Sequence, residues 1–133
     1  MKTFDVQSVS IDKPAAAVFD FVATPANLPK WTNAFRRADT ESADLVTPNG
    51  VAPIGLKTVA DRDSGTVDWH MTFPDGSEGT AFSRVTPNGA AGAIYSFVLM
   101  APPVPLEMLE GALDDQIRIL ARELVALKGQ LEG

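Results

Sequence analysis

The chain has 133 residues, of which 45% are apolar and 21% charged, with a formal net charge of −6, one histidine and no cysteine. That length suits one domain with one core, residues 1–133, and the composition lies far from the disordered extreme. The absence of cysteine excludes disulfides, thiolate catalysis and sulfur-ligated zinc, and the acidic balance repels a nucleic-acid backbone. A single histidine would leave a transition-metal site to a carboxylate cluster that the sequence does not contain, so no cofactor is expected. Lys30, Arg36, Arg37, Lys57 and Arg62 form no basic run. The opening MKTFDVQSVS has no apolar targeting core, and the longest mostly apolar run, 90–101, is shorter than the roughly 20 residues of a membrane span. The expectations are a cytoplasmic protein, no membrane span and no nucleic-acid partner.

In chain order, 4–12 alternates as a β-strand with Val9 and Ile11 on one face. Asp12 and Pro14 then predict a helix start, with Asp12 as its cap. The helix carries Val18, Phe19 and Val22 on one side and stops before Pro25. A second short helix from about Asn27 carries Leu28, Trp31 and Phe35. Strands are predicted at 36–46, 55–62, 66–73, 78–86 and 92–100, which makes six in all. ThrProAsnGly at 47–50, PheProAspGly at 73–76 and ThrProAsnGly at 86–89 have the chemistry of tight hairpin turns. Finally, Leu106, Leu109, Leu113, Ile117, Leu120, Leu124, Leu127 and Leu131 recur at steps of three or four. They form one apolar stripe of a long helix, 105–131.

Turn type fixes register, and register fixes faces. A three-residue loop at 74–76 pairs Phe73 with Ser77, Met71 with Gly79, Trp69 with Ala81 and Val67 with Ser83. The same rule at 87–89 pairs Thr86 with Ala90, Ser83 with Ala93, Ala81 with Tyr95 and Gly79 with Phe97. One face then gathers Val67, Trp69, Met71, Phe73, Tyr95, Phe97 and Leu99 around the small residues Gly79, Ala81, Ser83 and Ala93. The other holds Asp68, His70, Thr72, Glu78, Thr80 and Arg84, with Phe82, Ile94 and Val98 as apolar exceptions. For the 55–62 strand two registers are open. A three-residue turn at 63–65 points Asp61 inward; a two-residue turn points Thr58 and Arg62 inward, and is favoured because Leu56 and Ala60 follow them.

This order of elements resembles the START and Bet v 1-like (SRPBCC, polyketide cyclase/dehydrase-like) superfamily. The likeness is carried by VSIDKPAAAVFDFVATPANLPKW at 9–31, GLKTV at 55–59, VDWHMTFPDG at 67–76 and the closing helix with GluLeu at 123–124. It spans essentially the whole chain. The resemblance implies an α+β helix-grip fold, a curved antiparallel sheet of about six strands wrapped around the C-terminal helix. It also implies a small hydrophobic ligand, aromatic, polyketide-like or lipid-like, held between sheet and helix.

The residues that would line such a site are Trp31, Phe35, Trp69, Met71, Ala81, Ser83, Tyr95, Phe97, Leu113, Gln116, Ile117 and Leu120. Tyr95, Ser83 and Gln116 would be its polar anchors, although Tyr95 and Ser83 could equally satisfy each other. Alternation puts His70 on the solvated face, and no nucleophile–base pair, phosphate-cradling loop or metal-ligand spacing is present. No catalytic residue is assigned. Two alternatives stand beside ligand binding. One, implied only by the resemblance, is a cyclase or dehydratase-type enzyme, for which Asp61, Arg62, His70 and Tyr95 are the candidates. The other is a protein-interaction module or homodimer using Phe82, Ile94 and Val98, with Met108, Ala112 and Ile119 as a second apolar line.

Overall fold

The computed structural model describes residues 3–47, 50–101 and 106–133, apart from the side chains of Thr47 and of 106–112. Pro48, Asn49 and Pro105, and the side chains of Leu106, Met108, Leu109 and Ala112, therefore lie outside the described residues. The chain forms β1 (Phe4–Ile11), α1 (Ala15–Ala23), a 3-10 turn (Pro25–Asn27), α2 (Leu28–Trp31), β2 (Phe35–Ala38) and β3 (Ser42–Thr47). β4 (Gly50–Asp61), β5 (Thr66–Thr72), β6 (Glu78–Pro87), β7 (Ala93–Met100) and α3 (Leu106–Glu132) complete it. The seven strands make one antiparallel sheet in the order β1-β7-β6-β5-β4-β3-β2. The sheet curls into a half-barrel with α3 along β1 and α1 across the ends of β5 to β7.

The seventh strand arises because the expected 36–46 strand folds back on itself. The Asp39 carboxylate accepts the backbone N–H groups of Glu41 and Ser42, both at 2.8 Å, so an aspartate builds the turn without glycine or proline. Arg37 reaches Asp39 and Asp44 across the hairpin. Phe35 is also reassigned. α2 ends at Trp31, where the Thr32 amide and hydroxyl both donate to the Leu28 carbonyl, and Phe35 opens β2 opposite Leu45. Nor does Asp12 cap α1. Pro14 occupies the cap, its carbonyl accepting from Ala17 and Val18, while the Asp12 amide donates to Glu132 at the end of α3.

Register follows the expectation at one hairpin and departs from it at the next. Across β5 and β6, Met71 faces Gly79, Trp69 faces Ala81 and Val67 faces Ser83, with the Phe73 amide donating to the Ser77 carbonyl. Across β6 and β7 the pairs are Pro87 with Ala93, Val85 with Tyr95, Ser83 with Phe97 and Ala81 with Leu99. The connection runs from Asn88 to Gly92, whose carbonyl accepts the Asn88 amide, so it is longer than the three residues expected. The displacement is four residues. An even slip preserves faces, so Tyr95, Phe97 and Leu99 still point inward.

The core fills the end of the half-barrel nearest the short helices. Ile11, Val18, Val22, Val67, Tyr95 and Leu127 are fully enclosed there, with Leu120 and Leu124 of α3 beside them. On the convex side Phe82 opposes Val98, which opposes Val6; Ile94 is set apart from them by Ser96. Among the described residues no helix is long and apolar enough to cross a membrane.

Candidate functional site

The concave face is built by alternation. Each of β4, β5, β6 and β7 sends every second side chain toward α3, and the hydrophobic ones fix which set faces in. On β4 that set is Leu56, Thr58 and Ala60, in register with Met71, Trp69 and Val67, with Ala60 exposed at its end. The open question of the 55–62 strand is thereby answered. Thr58 lies inside, while Asp61 is exposed. Arg62 is exposed as well, pairing with Asp20 and lying 4.9 Å from the centre of the Phe19 ring.

Four rings run as a continuous wall across this face. Trp31, delivered by α2, meets Tyr95 edge-on at 6.1 Å; Tyr95 meets Phe97 at 6.5 Å; Phe97 stacks on Trp69 at 5.9 Å, 27° from parallel. Ala81 and Ser83 lie under this wall. Gly79 does not remain open, because the Phe73 ring and the Met71 methyl already lie where its side chain would be. From α3, Leu113 and Leu120 are buried and Gln116 and Ile117 half-buried. Phe35 sits apart, on the edge strand farthest from β1 and β7. Of the twelve residues expected, the structure thus joins Trp31, Trp69, Tyr95 and Phe97 directly and leaves Phe35 at the rim.

The face is tight at one end and looser at the other. Trp31, Trp69, Ser83 and Tyr95 are buried, whereas Met71, Phe73, Ala81, Phe97 and Leu99 are only half-buried although they face inward. Two polar residues that the sequence reading passed over stand at the looser end. Asp5 is 9% exposed and opposes Leu99; Gln7 opposes Phe97. The Gln7 amide donates to Asp5 at 3.0 Å and to the Ile117 carbonyl at 2.9 Å, tying β1 to α3. Their signal was available, since they sit at two-residue steps before Val9 and Ile11.

Hydrogen bonding within the face is incomplete. The Ser83 hydroxyl donates to the Val67 carbonyl at 2.6 Å, so it is committed to the sheet. It lies near enough to Tyr95 to temper the phenol slightly, but no well-formed hydrogen bond joins the two, and burial pushes the Tyr95 pKa well up. Tyr95 therefore keeps its proton and acts as a neutral group. Trp31 Nε1, Thr58 Oγ1, Trp69 Nε1 and the Tyr95 hydroxyl are all shut off from solvent without a hydrogen-bond partner among the described residues. Each such orphan costs about 1–3 kcal/mol, a large share of the stability of a small domain.

The solvated face behaves as expected. His70 is exposed opposite Lys57, and Asp68 opposes Val59 and Phe82. His70, Lys57, Thr72 and Gly55 border an open groove of about 490 Å³ beside Thr40 and Glu41 of the β2–β3 turn. That groove includes none of the four rings of the aromatic wall, although Leu56 of the concave face borders it too. Among the described residues there is no group of three or more histidine or acidic side chains able to hold a metal.

Sheet, grip helix and the two short helices after β1 define a START-like helix-grip fold. Among solved structures, the chain is similar to a START superfamily protein from Mycobacterium smegmatis, with a TM-score of 0.72 and 13% identity over 98% of both chains. It is similar as well to the Zhui aromatase/cyclase from Streptomyces sp. R1128, at 0.68 and 10%, over 97% of this chain and 93% of that one. With the di-domain ARO/CYC BexL of the BE-7585A biosynthetic pathway the TM-score is 0.72 and the identity 22%, over 97% of this chain and 46% of BexL. The chain thus spans about half of that di-domain protein. No family model and no curated protein matches the sequence.

Proposed function

We propose that this protein binds a small hydrophobic ligand between the concave face of the sheet and α3. The observation that carries the reading is the wall formed by Trp31, Tyr95, Phe97 and Trp69, closed at the Tyr95 end and only half-covered at Met71, Ala81, Phe97 and Leu99. Small-molecule sites are typically apolar concavities with a few placed polar groups. Trp31, Trp69, Met71, Ala81, Tyr95 and Phe97 would form the sheet side, and Leu113, Gln116, Ile117 and Leu120 the helix side. Ser83 would be an anchor only as an acceptor, because its proton is committed to Val67. Phe35 would serve at the rim.

The aromatase/cyclase names of the similar structures support an apolar, ring-forming or ring-shaped ligand as the class to test, although a shared fold by itself does not convey activity. For the enzyme alternative, His70, Asp61 and Arg62 are poorly placed, since all three face solvent. Both tryptophans of the chain lie on the proposed site. Titration of polycyclic, flavonoid-like and lipid compounds should therefore quench or shift their fluorescence with saturation. A flat response to the whole panel would remove the binding reading.

A further inference from the structure

β1 is one edge of the sheet, and the hydrogen bonds around it give the direction of its backbone groups. The Ala101 amide donates to the Thr3 carbonyl, so Thr3 faces β7, and with no break in register along Phe4–Ile11 every second residue after it does the same. The N–H and C=O groups of Phe4, Val6, Ser8 and Ser10 therefore point away from the sheet. α3 agrees with this, since Lys128 donates to the Ser10 carbonyl at 2.6 Å and the Asp12 amide donates to Glu132 at 2.8 Å. Those contacts cap one end of the edge. At the other end Phe4, Val6 and Ser8 are exposed, and their outward backbone groups have no partner among the described residues.

The opposite edge of the sheet is protected and this one is not. β2 has four residues, carries the exposed Arg36 and Arg37 and shifts register between Phe35 and Arg37. Short length, charge and a bulge all discourage strand addition. β1 has eight residues, no proline, lysine or arginine and no bulge, and presents Phe4 and Val6, 48% and 55% exposed, in a stripe that runs on through Met100, Val98 and Phe82. We propose that β1 pairs antiparallel with β1 of a second copy of this chain, about a two-fold axis at Val6. Val6 then opposes the partner's Val6 and Phe4 opposes the partner's Ser8, each pair exchanging both backbone hydrogen bonds, and the two apolar stripes meet. Charge and the α3 cap select this register. The one charged side chain of β1, Asp5, is already buried and accepts from Gln7, and here it meets the partner's Gln7. An axis at Asp5 would set two carboxylates opposite each other, an axis at Phe4 would leave Ser8 unpaired, and an axis at Gln7 or Ser8 would call on Ser10, whose carbonyl Lys128 holds.

Sedimentation equilibrium of the whole chain should show the average mass rising toward that of two chains between about 1 μM and about 1 mM, the range expected of a pairing this small. Over that range the amides of Phe4, Val6 and Ser8 should gain protection from hydrogen exchange as concentration rises. Val6→Lys, at an exposed position, should weaken association about tenfold or more by setting two cations side by side, and Val6→Glu should do the same with two anions. An equimolar mixture of the two variants should recover association, because the axis sets the lysine of one opposite the glutamate of the other. Val59→Lys, at a comparably exposed apolar position on β4, should leave association unchanged. A chain that stays monomeric throughout would overturn the proposal and leave the edge to a strand of another protein. A dimer that survives Val6→Lys, or that Val59→Lys weakens as much, would overturn the choice of β1, and a mixture that fails to recover would overturn the axis at Val6. Should the Val6 variants not fold, the parent chain decides alone: amides equally protected at both ends of the range would overturn the pairing.

Discussion

Among the glycines of the described residues, Gly65 in the β4–β5 turn leaves the least room for a side chain, and its replacement by alanine separates two costs that usually arrive together. Its φ is +75°, a region that penalises a side chain by about 1 kcal/mol or somewhat more. A Cβ there would also stand 2.2 Å from the carbonyl oxygen of Val85, which belongs to backbone and cannot swing aside. Relieving the overlap requires about 1 Å of movement between the β4–β5 turn and β6. That stretches the bond from the Val85 amide to the Gly65 carbonyl and the bond from the Gly65 amide to the Asp61 carbonyl, both 2.8 Å. With about 1 kcal/mol for each hydrogen bond impaired, Gly65→Ala should cost about 3 kcal/mol. Gly76→Ala is the control, since its φ is +87° but nothing lies within 4 Å of the new Cβ, so only the dihedral cost of about 1 kcal/mol applies. At an unfolding entropy of about 2.1 cal/mol/K per residue, the two variants should melt about 10 °C and about 4 °C below the parent. Thermal unfolding by circular dichroism, with urea titration for the free energies, measures both. Equal losses at the two positions would refute the argument, because they would show that the clash with Val85 relaxes without cost.

Leu124→Ala, in the closed part of the core, should cost about 2–5 kcal/mol, whereas Leu113→Ala should cost less and alter ligand preference. Equal losses in urea titrations would argue against any hollow under the first half of α3. Thr58→Val, which keeps the side-chain shape and removes a buried orphan, should raise the stability of the ligand-free protein by about 1 kcal/mol; a loss would mean that the hydroxyl is satisfied in solution. Asp39, held at a pKa of about 2 by the amides of Glu41 and Ser42, stabilises the folded chain above the ordinary aspartate value of about 3.9, and that contribution is lost as pH falls through 2. Asp39→Asn should therefore flatten the decline of the urea midpoint between pH 4 and pH 2. Glu123 has the opposite sign. Burial raises its pKa against the single amide of Asn33, 2.7 Å away, so stability falls as pH rises from the ordinary glutamate range into that raised value. Glu123→Gln should remove that fall, and an unchanged pH profile would place the carboxylate in water.

The order of elements and the inward face were readable from the sequence because both depend on periodicities that one misplaced turn does not destroy. The β6–β7 hairpin shows this most clearly. Counting a three-residue loop after Thr86 misplaces every cross-strand partner by four, yet Tyr95 and Phe97 remain on the concave face because four is even. Trp69 needed no such fortune, since the PheProAspGly turn determines its partner, Ala81. What stayed hidden depended on single side chains acting on backbone. The Asp39 turn contains neither glycine nor proline, so a composition-based reading runs one strand through it, and Thr32 ends α2 early by bonding back to Leu28.

The candidate site divides along the same line. The inward positions of Trp69, Tyr95 and Phe97 follow from alternation, and Trp31 is brought to them by α2. The polarity of the site does not follow in this way, because whether a buried hydroxyl is satisfied depends on tenths of an ångström that no pattern encodes. Ser83 and Tyr95 looked equivalent in sequence, two polar residues among apolar ones, and have opposite fates: Ser83 gives its proton to the sheet, and Tyr95 retains an unanswered hydroxyl. Thr58 inherits its inward position from Leu56, two residues earlier. β4 thus supplies one of the four polar atoms that are buried on this face without a partner among the described residues. Had selection acted for stability alone, valine at 58 and phenylalanine at 95 would fill the same space without the penalty of an unpaired hydroxyl. Retaining polar groups at both positions is coherent when a bound molecule answers them, and costly when nothing does.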